Sequence, residues 1–74
     1  MTLVEAKLNT NLIVKNINTD EKTKLRLMEL GLLVGNKIIV KKRSGLKRTL
    51  LVVFSDACFT INAEIAQSIE VCYG

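Results

Sequence analysis

The feature that most constrains the fold is a single helical segment with clear start and stop signals. The rest of the chain consists of strand-like stretches. Residues Glu21 to Leu30 are good helix formers, and Leu25 and Met28 recur at helical spacing. The run Asn18-Thr19-Asp20 supplies N-cap candidates, and Gly31 stands where a left-handed residue ends a helix. We therefore predict one short helix over residues 21–30.

Short β-strands are predicted for most of the remaining sequence, because β-branched and other apolar residues gather in five stretches separated by turn residues. The predicted strands cover residues 12–17, 37–43, 48–54, 58–61 and 68–72. We also expect a short first element over residues 4–8, and a single helical turn that Asn62 caps and that runs to Ala66. About five strands and one helix in 74 residues predict a mainly β fold, a small partly open barrel that forms a single domain over residues 1–74.

The charge of the chain is unevenly distributed. The net charge is +4, and no acid occurs between Glu29 and Asp56. The bases in that stretch are Lys37, Lys41, Lys42, Arg43, Lys47 and Arg48. A basic segment of this kind favours an acidic protein surface, nucleic acid or anionic lipid headgroups, or it is simply a solvated hairpin tip.

Nucleic acid is the least favoured of these partners. Small barrels that bind oligonucleotides interleave their basic groups with stacking aromatic residues. The aromatic residues here are Phe54 and Phe59, which we expect in the core, and Tyr73, which lies at the end of the chain. We therefore expect no nucleic-acid partner.

Membrane insertion and secretion are not expected either. No window reaches the roughly 18 unbroken apolar residues of a membrane span, and the first residues show no signal-peptide pattern. We therefore expect a cytoplasmic protein.

The sequence offers little to support catalysis. It contains no histidine, so Ser-His and Cys-His pairs are ruled out. The seven acids form no recognisable pair, and no Gly-x-x-x-x-Gly-Lys-Ser/Thr loop is present. We predict that the chain is not an enzyme.

Metal ligands are also few. Sites for Fe²⁺ and Zn²⁺ favour convergent sets of histidine, thiolate and carboxylate. Only Cys58 and Cys72 supply thiols, and the predicted strand registers place both opposite the inward-facing positions. We expect reduced thiols, no cofactor and no metal site, with Cys58, Cys72 and Glu70 as weak candidate ligands only.

A motif at the end of the predicted helix gives the chain a family resemblance. Residues 26–35 read Arg-Leu-Met-Glu-Leu-Gly-Leu-Leu-Val-Gly. The final stretch, Ala66 to Val71, follows the pattern Ala-x-x-Ile-x-Val. Both resemble the FeoA family, and the resemblance extends over essentially the whole chain. The motif positions that match are Glu29, Leu30, Gly31, Leu32 and Gly35. The chain departs from the family at Val34, at Leu8-Asn9 and at Asp56, where proline, Pro-Gly and glycine are common.

The resemblance implies an SH3-like barrel that serves bacterial ferrous iron uptake. FeoA proteins are cytosolic accessory proteins that contact the FeoB-type iron permease, so they meet the membrane only indirectly. The family is associated with transition metal ions, although the ligands of this chain argue against direct binding. The alternative is a nucleic-acid or regulatory module resembling the C-terminal SH3-like domain of metal-dependent repressors of the diphtheria-toxin-repressor type. A homo-oligomer that pairs exposed strand edges is a further alternative.

Two sets of residues are the candidates for binding a partner. The apolar residues after the helix outnumber what one turn usually buries, so part of them is a candidate docking surface. A small barrel needs its leucines for the core, however, so burial of all of them is the favoured interpretation. The basic hairpin is the second set, and both are expected to border one groove. The candidates are Leu30, Leu32, Leu33, Val34, Lys41, Lys42, Arg43, Lys47 and Arg48.

Overall fold

The computed structural model describes residues 1–46 and 48–74 of the chain. It contains five strands and two helices within that part. In chain order they are β1 (Leu12–Ile17), α1 (Glu21–Leu30), β2 (Lys37–Ser44), β3 (Thr49–Phe54), β4 (Ala57–Asn62), α2 (Ala63–Ser68) and β5 (Ile69–Tyr73).

The strands form one antiparallel sheet in the order β4-β3-β2-β1-β5. Strand β2 serves both halves of this sheet, because its first residues pair with β1 and the following ones pair with β3. The register between β2 and β3 shifts between Val40 and Lys42. A bulge of this kind bends a strand and increases its twist, so the sheet curls into the predicted partly open, SH3-like barrel.

A continuous aliphatic core fills the barrel. The buried hydrophobic residues are Leu3, Ala6, Leu12, Val14, Ile17, Leu27, Leu32, Ile38, Val40, Leu50, Val52, Phe54, Ile61, Ala66, Ile69 and Val71. The ring of Phe59 stacks on that of Phe54, with the centroids 4.3 Å apart. Both rings therefore belong to the core or its margin, as the sequence predicts.

Residues in the left-handed backbone conformation form the tight turns at Leu8-Asn9 and at Asp56, two positions where the chain departs from the FeoA pattern. Asn9 has φ +55°, and Ser55 and Asp56, which join β3 to β4, have φ +53° and +60°. Asparagine and aspartate tolerate this conformation better than other non-glycine residues. The two turns thus form without the family's more common glycines.

The second helix corrects the prediction of a single one. Asn62 caps it as expected, since its Oδ1 accepts a hydrogen bond from the Ile65 N–H at 2.8 Å. The helix does not stop at Ala66 but continues to Ser68, whose Oγ donates to the Ile65 carbonyl, and β5 begins one residue later than predicted. Within the described residues, no helix has the length and apolar content to cross a membrane.

The predicted first element over residues 4–8 is wrong, because that segment forms turns rather than a strand or helix. The residues just before it run along the outer edge of β5 instead. The Leu3 N–H donates to the Ile69 carbonyl at 3.1 Å, and the Val71 N–H donates to the Met1 carbonyl at 2.8 Å. This pairing covers the edge of β5 that would otherwise be exposed.

Helix α1 has the predicted bounds because its caps are strong. Asp20 is the N-cap, and its Oδ2 accepts a hydrogen bond from the Thr23 N–H at 3.0 Å. Hydrogen bonds from the side chain and backbone of Thr23, with a smaller contribution from the Thr19 side chain, lower the pKa of Asp20 below its usual 3.8. The ionised carboxylate is therefore more favourable in the folded chain than in the unfolded one.

We expect the Asp20 cap to make stability depend on pH at the acidic end. Its contribution is fully present above pH 3.8 and is lost as the pH falls through the lower pKa of the folded state. Asp20→Asn keeps a capping oxygen but removes this titration, so its stability falls less steeply below pH 3.8. Urea unfolding of both proteins at pH values above and below this point measures the effect, and coincident profiles would contradict it.

Candidate partner-binding surface

The end of α1 determines which apolar residues reach the surface. Gly31 has φ +104°, and its N–H bonds to the carbonyls of Leu27 and Met28. The Leu32 N–H also bonds to the Leu27 carbonyl, at 2.9 Å, which completes a left-handed helix stop. This turn sends the side chain of Leu32 into the core, where it is fully buried.

The structure divides the apolar set that follows the helix into one core residue and three surface residues. Leu32 is buried, whereas Leu30, Leu33 and Val34 are 44%, 42% and 59% exposed. Part of this set therefore stays exposed, and the interpretation that all four residues are core is wrong.

Helix α1 adds two further apolar side chains to this region. Leu27 is the only residue of α1 that is buried, while Leu25 and Met28 are 56% and 46% exposed. Their helical spacing predicted the helix, and in the structure both side chains face solvent. We call the five exposed residues Leu25, Met28, Leu30, Leu33 and Val34 the helix-end surface.

Hydrogen bonds from three parts of the chain hold the helix end in place. Asn36 Nδ2 and Ser55 Oγ both donate to the Gly31 carbonyl, at 2.8 and 3.3 Å. The Gly35 N–H donates to the carbonyl of Val14 in β1 at 2.8 Å. The apolar side chains are therefore presented from a fixed backbone, which reduces the entropy lost when a partner binds.

The basic hairpin presents fewer free cations than the sequence predicts. Lys41, Lys42 and Arg48 are exposed. Arg43 is half-buried, and its Nη2 donates to the carbonyls of Ala6 and Leu3. It therefore ties the segment before β1, which we call the first loop, to β2. Lys47 lies outside the described residues.

The two candidate sets lie at different places on the barrel. Strand β3 begins beside the hairpin turn and ends at Phe54, next to Ser55, whose hydroxyl bonds to Gly31 at the helix end. Six residues of extended strand span roughly 17–20 Å. The hairpin turn and the helix end therefore lie at opposite ends of β3, and the helix-end surface is separate from that turn.

The weak metal candidates are far apart in the sheet order. Cys58 lies on β4 and Cys72 and Glu70 on β5, which are the first and last strands of the sheet. Cys58 is exposed and Cys72 half-buried, and both thiols are free. In the part of the chain that the structure describes, no group of three or more Cys, Asp or Glu residues is placed to hold a metal ion.

These features define a class of protein: a small SH3-like β-barrel domain with an exposed apolar helix end. The FeoA domain model matches residues 1–72. The chain therefore belongs to the FeoA domain family, a family of small non-enzymatic domains associated with iron transport.

Solved FeoA structures share this fold. The FeoA protein of Chlorobium tepidum is 27% identical, with a TM-score of 0.90 over 99% of this chain and 70% of that chain. Iron(II) transport protein A of Clostridium thermocellum is 18% identical, with a TM-score of 0.89 over 99% of this chain and 45% of that one. No curated protein matches the chain significantly.

The same fold occurs inside larger proteins. ScaR, whose structure was solved with bound Cd²⁺, is 24% identical, with a TM-score of 0.86 over 96% of this chain. The match spans only 34% of the ScaR chain. At this identity the likeness concerns the fold alone.

Proposed function

We propose that this chain is a cytoplasmic accessory protein of bacterial ferrous iron uptake that contacts the cytosolic part of a FeoB-type permease through the helix-end surface. The observation that carries the proposal is that five large apolar side chains between residues 25 and 34 are each more than 40% exposed, around a helix end that hydrogen bonds fix in place. Single exposed apolar residues are ordinary, but so many in one short segment support an interaction site there.

The mode of action follows from binding alone. A binder shifts the equilibrium between two states of its partner only by its difference in affinity for them. The chain would therefore regulate transport by preferring one conformation of the permease. The exposed cations Lys41 and Lys42 support the approach of an acidic partner, because long-range attraction raises the association rate more than the affinity.

The experiment is a ¹H–¹⁵N NMR titration of this chain with the isolated cytosolic GTP-binding domain of the permease, at low and moderate salt. We expect shifts centred on the helix-end surface and an affinity that changes little with salt. Leu33→Ser combined with Val34→Ser should weaken binding about tenfold or more, since central apolar contacts at interfaces each contribute more than about 1 kcal/mol.

Leu46→Ser is the matched control, because Leu46 is 96% exposed but lies on the hairpin turn, away from the helix-end surface. It should bind like the unchanged chain. A titration without shifts, or equal losses in both variants, would refute the proposed contact.

The regulatory alternative predicts a different result. If the chain is a module of a metal-dependent regulator that binds nucleic acid through its basic hairpin, a DNA duplex should cause the shifts instead. They should then lie at Lys41, Lys42 and Arg48, and the affinity should fall steeply with salt because phosphate contacts release counterions. The match to about a third of ScaR supports this alternative only at the level of fold.

A further inference from the structure

A small concavity of about 240 Å³ lies beside the basic hairpin, at the opposite end of β3 from the helix-end surface. Its wall is formed by the first loop, the end of β2, the start of β3 and α2. Its apolar lining includes Val4, Leu50 and Ala63, and its polar lining includes Arg43, Arg48 and Gln67. We call it the arginine pocket.

Neither guanidinium group of the arginine pocket has an anionic partner among the residues that the structure describes. Arg43 uses Nη2 to donate to the first loop, but its Nε–H is buried and donates to no partner among the described residues. Arg48 makes no side-chain hydrogen bond or ion pair within the described part of the chain. Glu64 shares a neighbouring concavity with Arg48, yet it is not within ion-pair distance of it, and no acid lines the arginine pocket itself.

The backbone of Arg48 is held in an unusual conformation. Its φ is +53°, which costs a non-glycine residue roughly 1–2 kcal/mol. The Arg48 carbonyl accepts a hydrogen bond from the Ala63 N–H at 2.8 Å, which ties the hairpin to the start of α2. The direction in which Arg48 leaves the backbone is thus fixed against the wall of the pocket.

The chemistry of the lining indicates the ligand. Guanidinium groups bind carboxylates through paired, charge-assisted hydrogen bonds. The volume is below the roughly 300 Å³ at which pockets for drug-sized ligands begin, and the aliphatic walls favour an apolar body. We propose that the arginine pocket binds a carboxylate that carries a short aliphatic group. This inference does not rest on the proposed function, since the pocket and the helix-end surface are separate.

The test is an NMR titration of the whole chain with 4-methylpentanoate, with acetate and with inorganic phosphate, at constant pH and with NaCl holding the ionic strength constant. We expect saturable shifts of the Gly45, Thr49, Ala63 and Gln67 amides, and tighter binding of 4-methylpentanoate than of acetate. Shifts that NaCl alone reproduces, or saturation by phosphate but by neither carboxylate, would overturn the proposal.

Arg48→Gln should weaken the binding of 4-methylpentanoate about fivefold or more, the upper end of what one partly exposed charge pair contributes. Arg26→Gln is the matched control, because it removes the same charge from an exposed position on α1 and should leave binding unchanged. Arg43 is not substituted, since it also holds the first loop. Equal affinity of the Arg48→Gln and unchanged chains would refute the assignment.

A further ligand identifies the source of the carboxylate. N-acetyl-leucine carries the same aliphatic group beside the terminal carboxylate of a peptide. If it binds more tightly than 4-methylpentanoate, the natural ligand is the C-terminus of another chain, and the reverse order indicates a free aliphatic acid. The proposal requires that at least one of the two binds saturably.

Discussion

Leu32→Ala is expected to lower the free energy of unfolding by about 2–5 kcal/mol, the range found for removing a buried leucine side chain. Leu32 is fully buried, and the helix stop at Gly31 directs it into the core. A domain of 74 residues has a total stability of only a few kcal/mol. The variant should therefore be largely unfolded or close to it at 25 °C, which urea unfolding followed by circular dichroism would show.

Leu33→Ala separates this stability effect from binding. Leu33 is the next residue but is 42% exposed, so its truncation should cost much less stability while weakening the proposed contact with the permease. Leu32→Met, which nearly conserves volume, should cost less than about 1.5 kcal/mol and keep the fold available for binding measurements. Equal destabilisation by Leu32→Ala and Leu33→Ala would contradict the division of this segment into core and surface.

Local signals made most of the fold predictable. The bounds of α1 are as predicted because the Asp20 cap and the left-handed Gly31 are decided by neighbouring residues alone. Strand β1 is predicted exactly, and β2, β3, β4 and β5 within one residue at each end, because alternation and turn residues are also local. The segment over residues 4–8 was wrongly predicted to be a regular element. Its conformation is set by the pairing of the preceding residues with β5, which is distant in sequence.

The candidate surface was harder to predict, because exposure depends on how elements pack. Apolar residues lie on several sides of α1, so their spacing could not show that Leu27 faces inward while Leu25 and Met28 face outward. Arg43 looked like any other base of the hairpin, but a contact with Ala6, far away in sequence, removes it from the free surface. The hairpin and the helix end were expected together because the bond between Ser55 and Gly31, which places the helix end beside the far end of β3, joins residues that are distant in sequence.

Gly31→Ala is expected to destabilise the chain by about 2–3 kcal/mol for two separate reasons. The left-handed backbone at φ +104° costs a residue with a Cβ roughly 1–2 kcal/mol. That Cβ would also overlap Ser55 Oγ, so the Ser55 side chain must move and give up its hydrogen bond to the Gly31 carbonyl. A hydrogen bond of this kind contributes about 1 kcal/mol. Urea unfolding measures the sum.

Gly35→Ala separates the two reasons, because Gly35 has a similar φ of +95° but nothing within 4 Å of the added Cβ. It should carry only the backbone cost, and the difference between the two variants should be about 1 kcal/mol. In a Ser55→Gly background the overlap at Gly31 disappears, so Gly31→Ala should then cost no more than Gly35→Ala. If the difference between the two variants persisted there, the contact with Ser55 would not be its cause.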